Sequence, residues 1–284
     1  MVRILHASDL HFGRPAVATR LASLRSCIER LAPEAVAVSG DLTQRCLNSE
    51  FVRARAYLDD IRRETPVVVI PGNHDVRWLG AVARNLSLFG RAAHEFKYSR
   101  YHKYISPDLD PVLEVPGAVI AGCNTAHGIS RGSLTRRIRD LGVIGHVSGR
   151  DLKKVKEAFA KAAPDAARVV MIHHNPIKGE DSGRHGLANT SQALRAFASL
   201  GAELILCGHD HQEAVHAVEE KDFGLVVSTA GTISNRIRAG RLSSFNLVEI
   251  DERELRVTTY SWQNPEGFTP SRGHSFPRRA GATA

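Results

Sequence analysis

The sequence contains little cysteine and no paired cysteines. Its four cysteines are scattered along 284 residues without any Cys-x-x-Cys pair, at positions Cys27, Cys46, Cys123 and Cys207. This spacing argues against both a disulfide framework and a thiolate zinc site. We therefore expect four reduced, buried thiols of the kind found in cytoplasmic proteins.

Long apolar runs are also missing. No apolar stretch approaches the roughly 20 residues that a membrane-spanning helix needs. The opening residues show no basic segment followed by an apolar stretch and a small-residue cleavage site. These absences exclude an integral membrane protein and favour a cytoplasmic protein without a membrane partner.

Acidic residues are outnumbered by basic ones. The 38 lysines and arginines exceed the 30 aspartates and glutamates, which gives a net charge of +8. A basic protein of this kind suits anionic partners, including nucleotides and nucleic acid. Part of the excess lies in residues 263–284, a Pro-, Gly- and Arg-rich segment that we predict to be a mobile tail.

The apolar patterns that are present predict an α/β fold. Short β-branched runs alternate with helical periodicity, with strands predicted at residues 2–7, 35–39 and 67–70 and helices at residues 21–31 and 50–63. This order is typical of a mostly parallel sheet covered by helices. More elements of both kinds follow, with strands at residues 119–123, 169–172 and 204–207 and helices at residues 150–163 and 192–200.

The last part of the chain changes to strand after strand, at residues 214–218, 224–228, 245–250 and 255–262. Turn residues between these runs predict an antiparallel β stretch. With 43% hydrophobic residues the chain can bury a large core, so we predict one domain over residues 1–262.

The interval 76–116 fits the sheet pattern poorly and is predicted to be an insertion. It carries six aromatic residues, namely Trp78, Phe89, Phe96, Tyr98, Tyr101 and Tyr104. Such an insertion is either a lid over a substrate or a small helical subdomain with its own aromatic packing.

Polar clusters follow five of the predicted strands. They are Asp9-Leu10-His11, Gly40-Asp41, Gly72-Asn73-His74-Asp75, His173-His174-Asn175-Pro176 and Gly208-His209-Asp210-His211. Each cluster alone has a structural explanation, such as an Asx turn or a helix N-cap. Because the carboxyl ends of parallel strands meet at one edge of a sheet, the five together predict a single site.

The donor types at this site indicate metal chemistry. Carboxylate, imidazole and amide oxygen without thiolate suit Mn²⁺, Fe²⁺/Fe³⁺, Co²⁺, Ni²⁺ or Zn²⁺ better than Ca²⁺ or Mg²⁺ alone. Residues two apart on an extended segment, such as Asp9 and His11 or His209 and His211, can reach the same metal. Seven ligands are too many for one tetrahedral ion, whereas two ions bridged by a carboxylate use them all.

The five motifs resemble those of the calcineurin-like metallophosphoesterase family, and the resemblance covers residues 1–262. In chain order they are DxH, GD, GNHD, a histidine-containing loop and GHxH. The resemblance implies an αββα sandwich, in which two packed mixed β-sheets are flanked by helices. It implies that the first metal is held by Asp9, His11 and His211. It likewise implies that the second is held by Asn73, His173 and His209, and that Asp41 bridges both.

The resemblance also assigns roles around the metals. His74 resembles the family's catalytic histidine, which contacts the phosphate and assists the leaving oxygen. We expect Asp75 to orient His74, and both Asp75 and Asp210 to support the site from behind rather than to cap turns. Many family members read HHPP where this chain has His173-His174-Asn175-Pro176. The family pattern favours His173 as the ligand and leaves the role of His174 open.

The implied reaction is phosphoester hydrolysis by a hydroxide that bridges two ions, most readily Mn²⁺ or Fe²⁺/Fe³⁺ and otherwise Zn²⁺, Co²⁺ or Ni²⁺. The opening ILHASDLHFG is similar to that of bacterial class III cyclic-nucleotide phosphodiesterases, so we expect a small phosphodiester or nucleotide substrate. One alternative is a DNA or RNA nuclease of the same superfamily. Another is a non-catalytic scaffold, as in a retromer subunit of similar fold.

Two segments bear on the nuclease alternative. The stretch from Arg131 to Arg139 carries four arginines and no acid, and residues 96–104 interleave aromatic with basic side chains. Such segments can contact phosphates and stack bases, of nucleic acid or of a single nucleotide. They can equally be a solvated loop and an amphipathic helix. The β-rich C-terminal part also offers a strand edge through which a homodimer could form.

Overall fold

The computed structural model describes residues 1–77, 91–127, 143–177, 186–220, 223–237 and 240–278. The first part of the chain alternates strands with helices, as its periodicity predicts. The elements are β1 (Val2–Ala7), α1 (Ala18–Leu31), β2 (Ala35–Val38), α2 (Asn48–Arg62) and β3 (Val67–Val69). Helix α1 ends where Ala32 takes a left-handed conformation (φ 42°) and its N–H bonds the carbonyl of Ile28.

The remaining helices and strands follow the predicted order, with three additions. In chain order, these elements are α3 (Arg91–Tyr104), β4 (Val112–Val115), β5 (Ala118–Gly122), α4 (Gly149–Lys161), β6 (Ala167–His174), α5 (Thr190–Ser199), β7 (Leu204–Gly208), β8 (Ala214–Glu220), β9 (Phe223–Thr229), β10 (Ser244–Ile250), β11 (Glu254–Gln263) and β12 (Gly267–Pro277). The three additions are α3, β4 and β12. Helix α4 begins at a capping box, in which Ser148 and Asp151 exchange backbone-to-side-chain hydrogen bonds.

The strands form two six-stranded sheets of mixed direction. One sheet has the order β12-β11-β10-β1-β2-β3, and the other has the order β4-β5-β6-β7-β9-β8. Each sheet contains a block of parallel strands, β1 to β3 in one half of the first sheet and β5, β6, β7 and β9 in the centre of the second. The parallel arrangement therefore occurs twice, and the expectation of one mostly parallel sheet is replaced by two mixed sheets. The αββα sandwich implied by the motifs is confirmed.

Successive side chains of a strand point to opposite faces of its sheet, and this alternation explains how the sheets pack. In β1, Ile4 belongs to the apolar layer between the sheets, whereas its neighbour Leu5 belongs to the layer under the helices of the first sheet. In β6, Met171 lies between the sheets and Val170 lies under the helices of the second sheet. Strands buried on both faces read as continuous apolar runs, which is why periodicity located them well.

The described part of the insertion packs on the main domain. Tyr98 and Tyr101 of α3 are buried in the layer that also holds α1 and α2. Their hydroxyls donate hydrogen bonds to the carbonyls of Ala126 and Val69. These two rings are therefore core residues and do not stack nucleobases. Strand β4, which the sequence did not reveal, pairs antiparallel with β5.

The prediction of a mobile tail is wrong for most of the segment concerned. Strand β12 pairs with β11 along its length, from Gly267 opposite Gln263 to Pro277 opposite Glu254. Phe268 is 3% exposed, and its ring centroid lies 5.2 Å from that of Phe245. Backbone pairing and one buried aromatic thus order a segment whose composition resembles that of disordered chains. Residues 279–284 lie outside the described part, as do Trp78, Phe89 and the segment from Arg131 to Arg139.

A helix that crosses a bilayer is long and apolar. No helix within the described ranges has the length and the apolar character that this requires.

The packing of β12 yields a stability prediction. Phe268→Ala removes a buried aromatic side chain and should lower the free energy of unfolding by about 3–5 kcal/mol. Arg272→Ala, at an exposed position of the same strand, should change it by no more than about 0.5 kcal/mol. Urea unfolding curves of both variants measure the difference. Equal stability of the two variants would show that β12 does not pack as described.

Candidate metal centre

Seven candidate donors converge where the carboxyl ends of strands from both sheets meet. Asp9 and His11 follow β1, Asp41 follows β2 and Asn73 follows β3. From the second sheet, His173 lies near the end of β6, and His209 and His211 follow β7. The two sheets thus contribute to a single site from opposite sides, which is the position that open α/β sheets use for ligands.

Unusual backbone conformations aim these side chains. Five of the donors have positive φ angles, namely Asp9 (56°), His11 (45°), Asp41 (51°), His209 (74°) and His211 (57°). Left-handed conformations are rare for residues other than glycine and are costly unless the surroundings enforce them. Here neighbouring loops enforce them, since the N–H of Asp9 bonds the carbonyl of Gly40 and the N–H of His11 bonds that of Asp41.

Two glycines allow the loops to approach each other closely. A Cβ atom on Gly72 would lie 2.2 Å from the backbone nitrogen of Asp41. On Gly208 it would lie 1.9 Å from Oγ of Ser8 and 2.6 Å from Oδ2 of Asp9. All three distances are far inside van der Waals contact, so the GNHD and GHDH motifs need glycine to bring their donors together.

The first cluster of donors consists of Asp9, His11 and His211. Nε2 of His11 lies 3.2 Å from Nε2 of His211. Oδ1 of Asp9 lies 3.1 Å from Nε2 of His211 and 3.5 Å from Nε2 of His11. That oxygen is buried and accepts no hydrogen bond within the part of the chain that the structure describes.

The second cluster consists of Asn73, His173 and His209. Oδ1 of Asn73 lies 3.0 Å from Nε2 of His173 and 3.0 Å from Nδ1 of His209. The two histidine nitrogens are themselves 3.3 Å apart. All three ring or amide atoms therefore face one point.

Asp41 lies between the two clusters. Its Oδ1 is 3.5 Å from Nε2 of His173, and its Oδ2 is 3.8 Å from Nε2 of His11. The carboxylate thus presents one oxygen to each cluster. This is the geometry that a bridging ligand between two ions requires.

Backbone carbonyls fix which ring nitrogen of the histidines carries the proton. Nδ1 of His211 lies 2.6 Å from the carbonyl of Arg236, and Nδ1 of His173 lies 2.8 Å from that of Ser39. Nδ1 of His11 makes the same contact with Thr43 at 3.3 Å. A carbonyl only accepts, so each Nδ1 donates, and in the neutral imidazole each Nε2 then directs its lone pair into the site.

Charges around the clusters favour a cation. Burial alone would raise the pKa of the Asp9 carboxyl, but His211 and the other neighbouring histidines hold it well below its usual range. Burial opposes ionisation of Asp41 as well, and His173 and His74 outweigh it and lower the pKa. Burial lowers the pKa of His209 to about 3. Ionised carboxylates and a neutral imidazole are the forms that bind metal ions.

The donor set fits a pair of metal ions. Donors that each lie about 2.1 Å from one ion are roughly 3.0–3.4 Å from each other, and the closest contacts within each cluster are 3.0–3.3 Å. Lone pairs that converge without a proton between them also repel unless a cation separates them. Oxygen and imidazole donors without thiolate suit Mn²⁺, iron or Zn²⁺.

The structure distinguishes the two adjacent histidines of β6. His173 contacts Asn73 and Asp41, whereas Nδ1 of His174 lies 2.8 Å from Oγ1 of Thr125. The His174 ring still lies near the second cluster, since a ligand-type atom of each of His173, His174 and His209 falls within 4.8 Å of the others. His173 thus contacts a donor of the second cluster and the carboxylate between the clusters, and its assignment as the ligand stays a prediction.

The two aspartates predicted to support the site do so through different groups. Asp75 accepts hydrogen bonds from the backbone N–H groups of Gly72, Leu42 and Thr43, so it holds the Asp41 and Asn73 loops together. None of its hydrogen bonds in the described ranges involves the His74 ring, so the expected orientation of His74 by Asp75 is wrong. Asp210 accepts a hydrogen bond from the Asn175 amide.

Two residues that the sequence did not reveal hold His74. Nδ1 of His74 lies 2.7 Å from the carbonyl of Gln44, and Nε2 lies 2.9 Å from Nη1 of Arg236. The His74 ring centroid is 5.0 Å from that of His11, so it borders the first cluster. Because the carbonyl accepts and the guanidinium donates, His74 is held with its proton on Nδ1.

The chain is similar to a known protein family and to several solved structures. The model of the calcineurin-like phosphoesterase family matches residues 2–213. Among solved structures, purple acid phosphatase PPD1 from yellow lupin (Lupinus luteus) seeds is similar, with a TM-score of 0.66 and 12% identity over 98% of this chain and 54% of that chain. This chain thus spans about half the length of the lupin protein.

Two further structures share the fold. GAP50, the anchor in the inner membrane complex of Plasmodium, has a TM-score of 0.59 and 12% identity over 99% of this chain and 90% of that chain. TT1561 of Thermus thermophilus has a TM-score of 0.52 and 11% identity over 86% of this chain and 93% of that chain. At these identities the similarity establishes the fold alone.

The position of Asp41 predicts a change in metal content. After loading with Mn²⁺ and desalting, the wild-type protein should retain two ions per chain. Asp41→Ala, which removes the carboxylate between the clusters, should retain one at most. Elemental analysis by mass spectrometry gives the ratio, and Glu252→Gln at an exposed position is the control that should retain two. Two ions in Asp41→Ala would refute the bridging position.

Burial of His6 beneath the site predicts a pH dependence of stability. Burial lowers the pKa of His6 to about 3, against a weaker opposing effect of Asp9. Below about pH 6.5 the His6 side chain of the unfolded chain therefore binds a proton that the folded protein does not bind. The contribution of His6 to the free energy of unfolding is complete above that pH and is lost as the pH decreases. Between pH 7.5 and 5.0 the contribution of His6 to this loss should be about 2 kcal/mol.

Urea unfolding of the metal-free protein at several pH values measures this loss. His6→Gln should be less sensitive than the wild type over this range by about the amount attributed to His6. Parallel pH profiles of the two proteins would contradict the assignment.

Proposed function

Because the chain belongs to the calcineurin-like phosphoesterase family, we propose that it is a dinuclear metal-dependent phosphodiesterase that hydrolyses cyclic nucleotides or similar small diesters. The observation that carries this proposal is the carboxylate of Asp41, which presents one oxygen to each of two converging donor clusters. A pair of ions held in this way is suited to displacement at phosphorus.

The residues that would hold each metal follow from the clusters. Asp9, His11 and His211 would hold one ion, and Asn73, His173 and His209 the other, with Asp41 shared. When bound, two such ions supply a nucleophile from water at neutral pH and neutralise charge on the phosphoryl oxygens. We propose Mn²⁺ or iron as the metals, because the donors are oxygen and imidazole.

The chain's own residues prepare the site for this chemistry. Carbonyls of Ser39, Thr43 and Arg236 hold three ligand imidazoles in the tautomer that binds metal. His74 borders the first cluster, and we propose it as the catalytic residue that contacts the phosphoryl group. The Gln44 carbonyl holds Nδ1 and fixes the ring plane in advance, so only the contact of Nε2 with Arg236 has to give way to the substrate.

The described residues favour a small substrate over nucleic acid. Two of the aromatic rings that could have stacked bases, Tyr98 and Tyr101, lie in the core. A third, Phe96, lies under the guanidinium of Arg77, 4.3 Å from ring centroid to Cζ. A nuclease remains the second candidate, because the net charge of +8 suits a polyanion.

A scaffold function is disfavoured by the donor geometry. GAP50, an anchor protein, shares the fold, so the fold alone does not imply catalysis. A scaffold has no need of seven converging donors, five of them in left-handed conformations. We further propose a cytoplasmic location, in keeping with four buried and unpaired thiols.

A substrate panel tests the proposed function. With Mn²⁺ present, the protein should hydrolyse cyclic nucleotides and an aryl phosphodiester faster than an aryl monoester or single- or double-stranded DNA. His74→Ala should keep two metals and lower the turnover of the diesters by about 10²–10⁴-fold. Absence of hydrolysis by the metal-loaded protein would refute the enzyme proposal, and preferential cleavage of DNA would favour the nuclease.

A further inference from the structure

We propose that Arg236 binds a phosphoryl oxygen of the substrate and that His74 positions its guanidinium for this contact. The inference rests on the proposed function, since it names a further substrate-binding group for that reaction. Arg236 lies outside the five motifs, in the loop that follows strand β9. Its ligand would be the tetrahedral oxyanion of a phosphate ester.

The first observation is the contact with His74. Nη1 of Arg236 lies 2.9 Å from Nε2 of His74 and 3.4 Å from Oε1 of Gln44. Nδ1 of the same histidine donates to the Gln44 carbonyl, so the imidazole accepts at Nε2 and fixes the guanidinium in place. Since His74 borders the first donor cluster, the guanidinium is held close to that cluster.

The second observation is the charge environment of Arg236. The residue is half-buried, yet the side-chain partners of its guanidinium among the described residues are the uncharged Gln44 amide and His74, and no carboxylate is among them. Arginines held near a metal centre in this state attract anions, because a guanidinium presents a fork of donors that matches phosphate oxygens. Only Nη1 makes side-chain hydrogen bonds within the described ranges, which leaves further donors of the fork for a ligand.

The third observation is the rigidity of the loop. The N–H of Asn235 bonds the carbonyl of Pro15 at 2.7 Å, and the N–H of Arg236 bonds Oγ of Ser234 at 3.2 Å. The carbonyl of Ser234 accepts from Nη1 of Arg20 and from Oγ of Ser243. A loop tied at successive residues places a side chain with little loss of conformational freedom on binding.

Arg236 also couples substrate binding to the metal site. Its carbonyl accepts the hydrogen bond that fixes the tautomer of His211, while its side chain reaches His74. A substitution that shortens the side chain leaves the carbonyl in place. Variants of Arg236 therefore separate the guanidinium from the metal ligand.

Inorganic phosphate is the probe for the test. Titration calorimetry of the Mn²⁺-loaded protein should give a phosphate Kd that is about 10–100-fold weaker in Arg236→Gln than in the wild type. Arg236→Lys keeps the positive charge but loses the paired N–H donors of the guanidinium, so its Kd for phosphate should lie between those of the wild type and Arg236→Gln. Arg45→Gln removes a positive charge at an exposed position next to Gln44 and should bind phosphate within about twofold of the wild type.

Metal content and kinetics complete the test. All four proteins should retain two metals per chain, and Arg236→Gln should lose about 10²–10³-fold in kcat/KM on an aryl diester. Unchanged phosphate affinity in Arg236→Gln would overturn the proposal. Loss of a metal in that variant would also overturn it, because the effect would then pass through His211.

Two further outcomes separate this inference from the proposed function. If Arg236→Gln binds phosphate more weakly than the wild type but the wild type hydrolyses no phosphoester, the result supports the phosphate site and refutes the proposed enzymatic function. If Arg236→Gln hydrolyses the diester with the same kcat/KM as the wild type, the result supports the proposed enzymatic function and refutes the role of Arg236. Because His74 also contacts the phosphoryl group itself, the double variant of Arg236→Gln with His74→Ala should bind phosphate more weakly than either single variant, but by less than the product of the two single effects. Independent, multiplicative effects would refute positioning by His74.

Discussion

The structure of the site depends on hydrogen bonds from imidazole Nδ1 atoms to backbone carbonyls. Ser39, Thr43 and Arg236 provide these carbonyls, and each belongs to a loop that follows a strand of the sandwich. Because the carbonyl can only accept, each of these histidines, in its neutral form, directs an unprotonated nitrogen inward. The lone pairs then meet the carboxylates of Asp9 and Asp41, and their mutual repulsion is relieved only by a cation. The backbone thus determines that this position attracts positive charge.

Two sheets are needed to build such a site. One parallel sheet brings loops to an edge from one side, whereas here β1 to β3 deliver donors from one sheet and β6 and β7 from the other. Asp41 and His173 come from opposite sheets, and their side chains meet at 3.5 Å. The left-handed conformations at the donors follow from this convergence, since the loops must turn sharply where the strands end. Stability given up locally is offset by the apolar layers that fix the sheets against each other.

Much of this arrangement could be predicted from the sequence, because its signals are local. The motifs place Asp9, His11, Asp41 and the GNHD and GHDH residues directly after apolar strands, and ligand chemistry then requires a common edge. The strand β12 could not be predicted in this way. Its Pro, Gly and Arg content matches that of a mobile tail, and only pairing with β11 and burial of Phe268 order it. Register between strands is a long-range property that composition does not encode.

Arg236 was missed for a related reason. The polar loop from Gly231 to Arg236 follows an apolar strand just as the five motifs do. Strand β9 belongs to a stretch that looks antiparallel in sequence, which would direct its end away from the site. In the structure β9 pairs with β7 in parallel, so its carboxyl end reaches the same edge as His209. The direction of β9 therefore determines whether Arg236 can be predicted, from the sequence, to lie at the site.

Anomalous diffraction from crystals of the Mn²⁺-loaded protein tests the central claim most directly. Two peaks should appear about 3.5–4 Å apart, with the carboxylate of Asp41 between them. One peak should lie among Asp9, His11 and His211, and the other among Asn73, His173 and His209. A single peak, or a second peak held by His174 away from Asn73, would contradict the account.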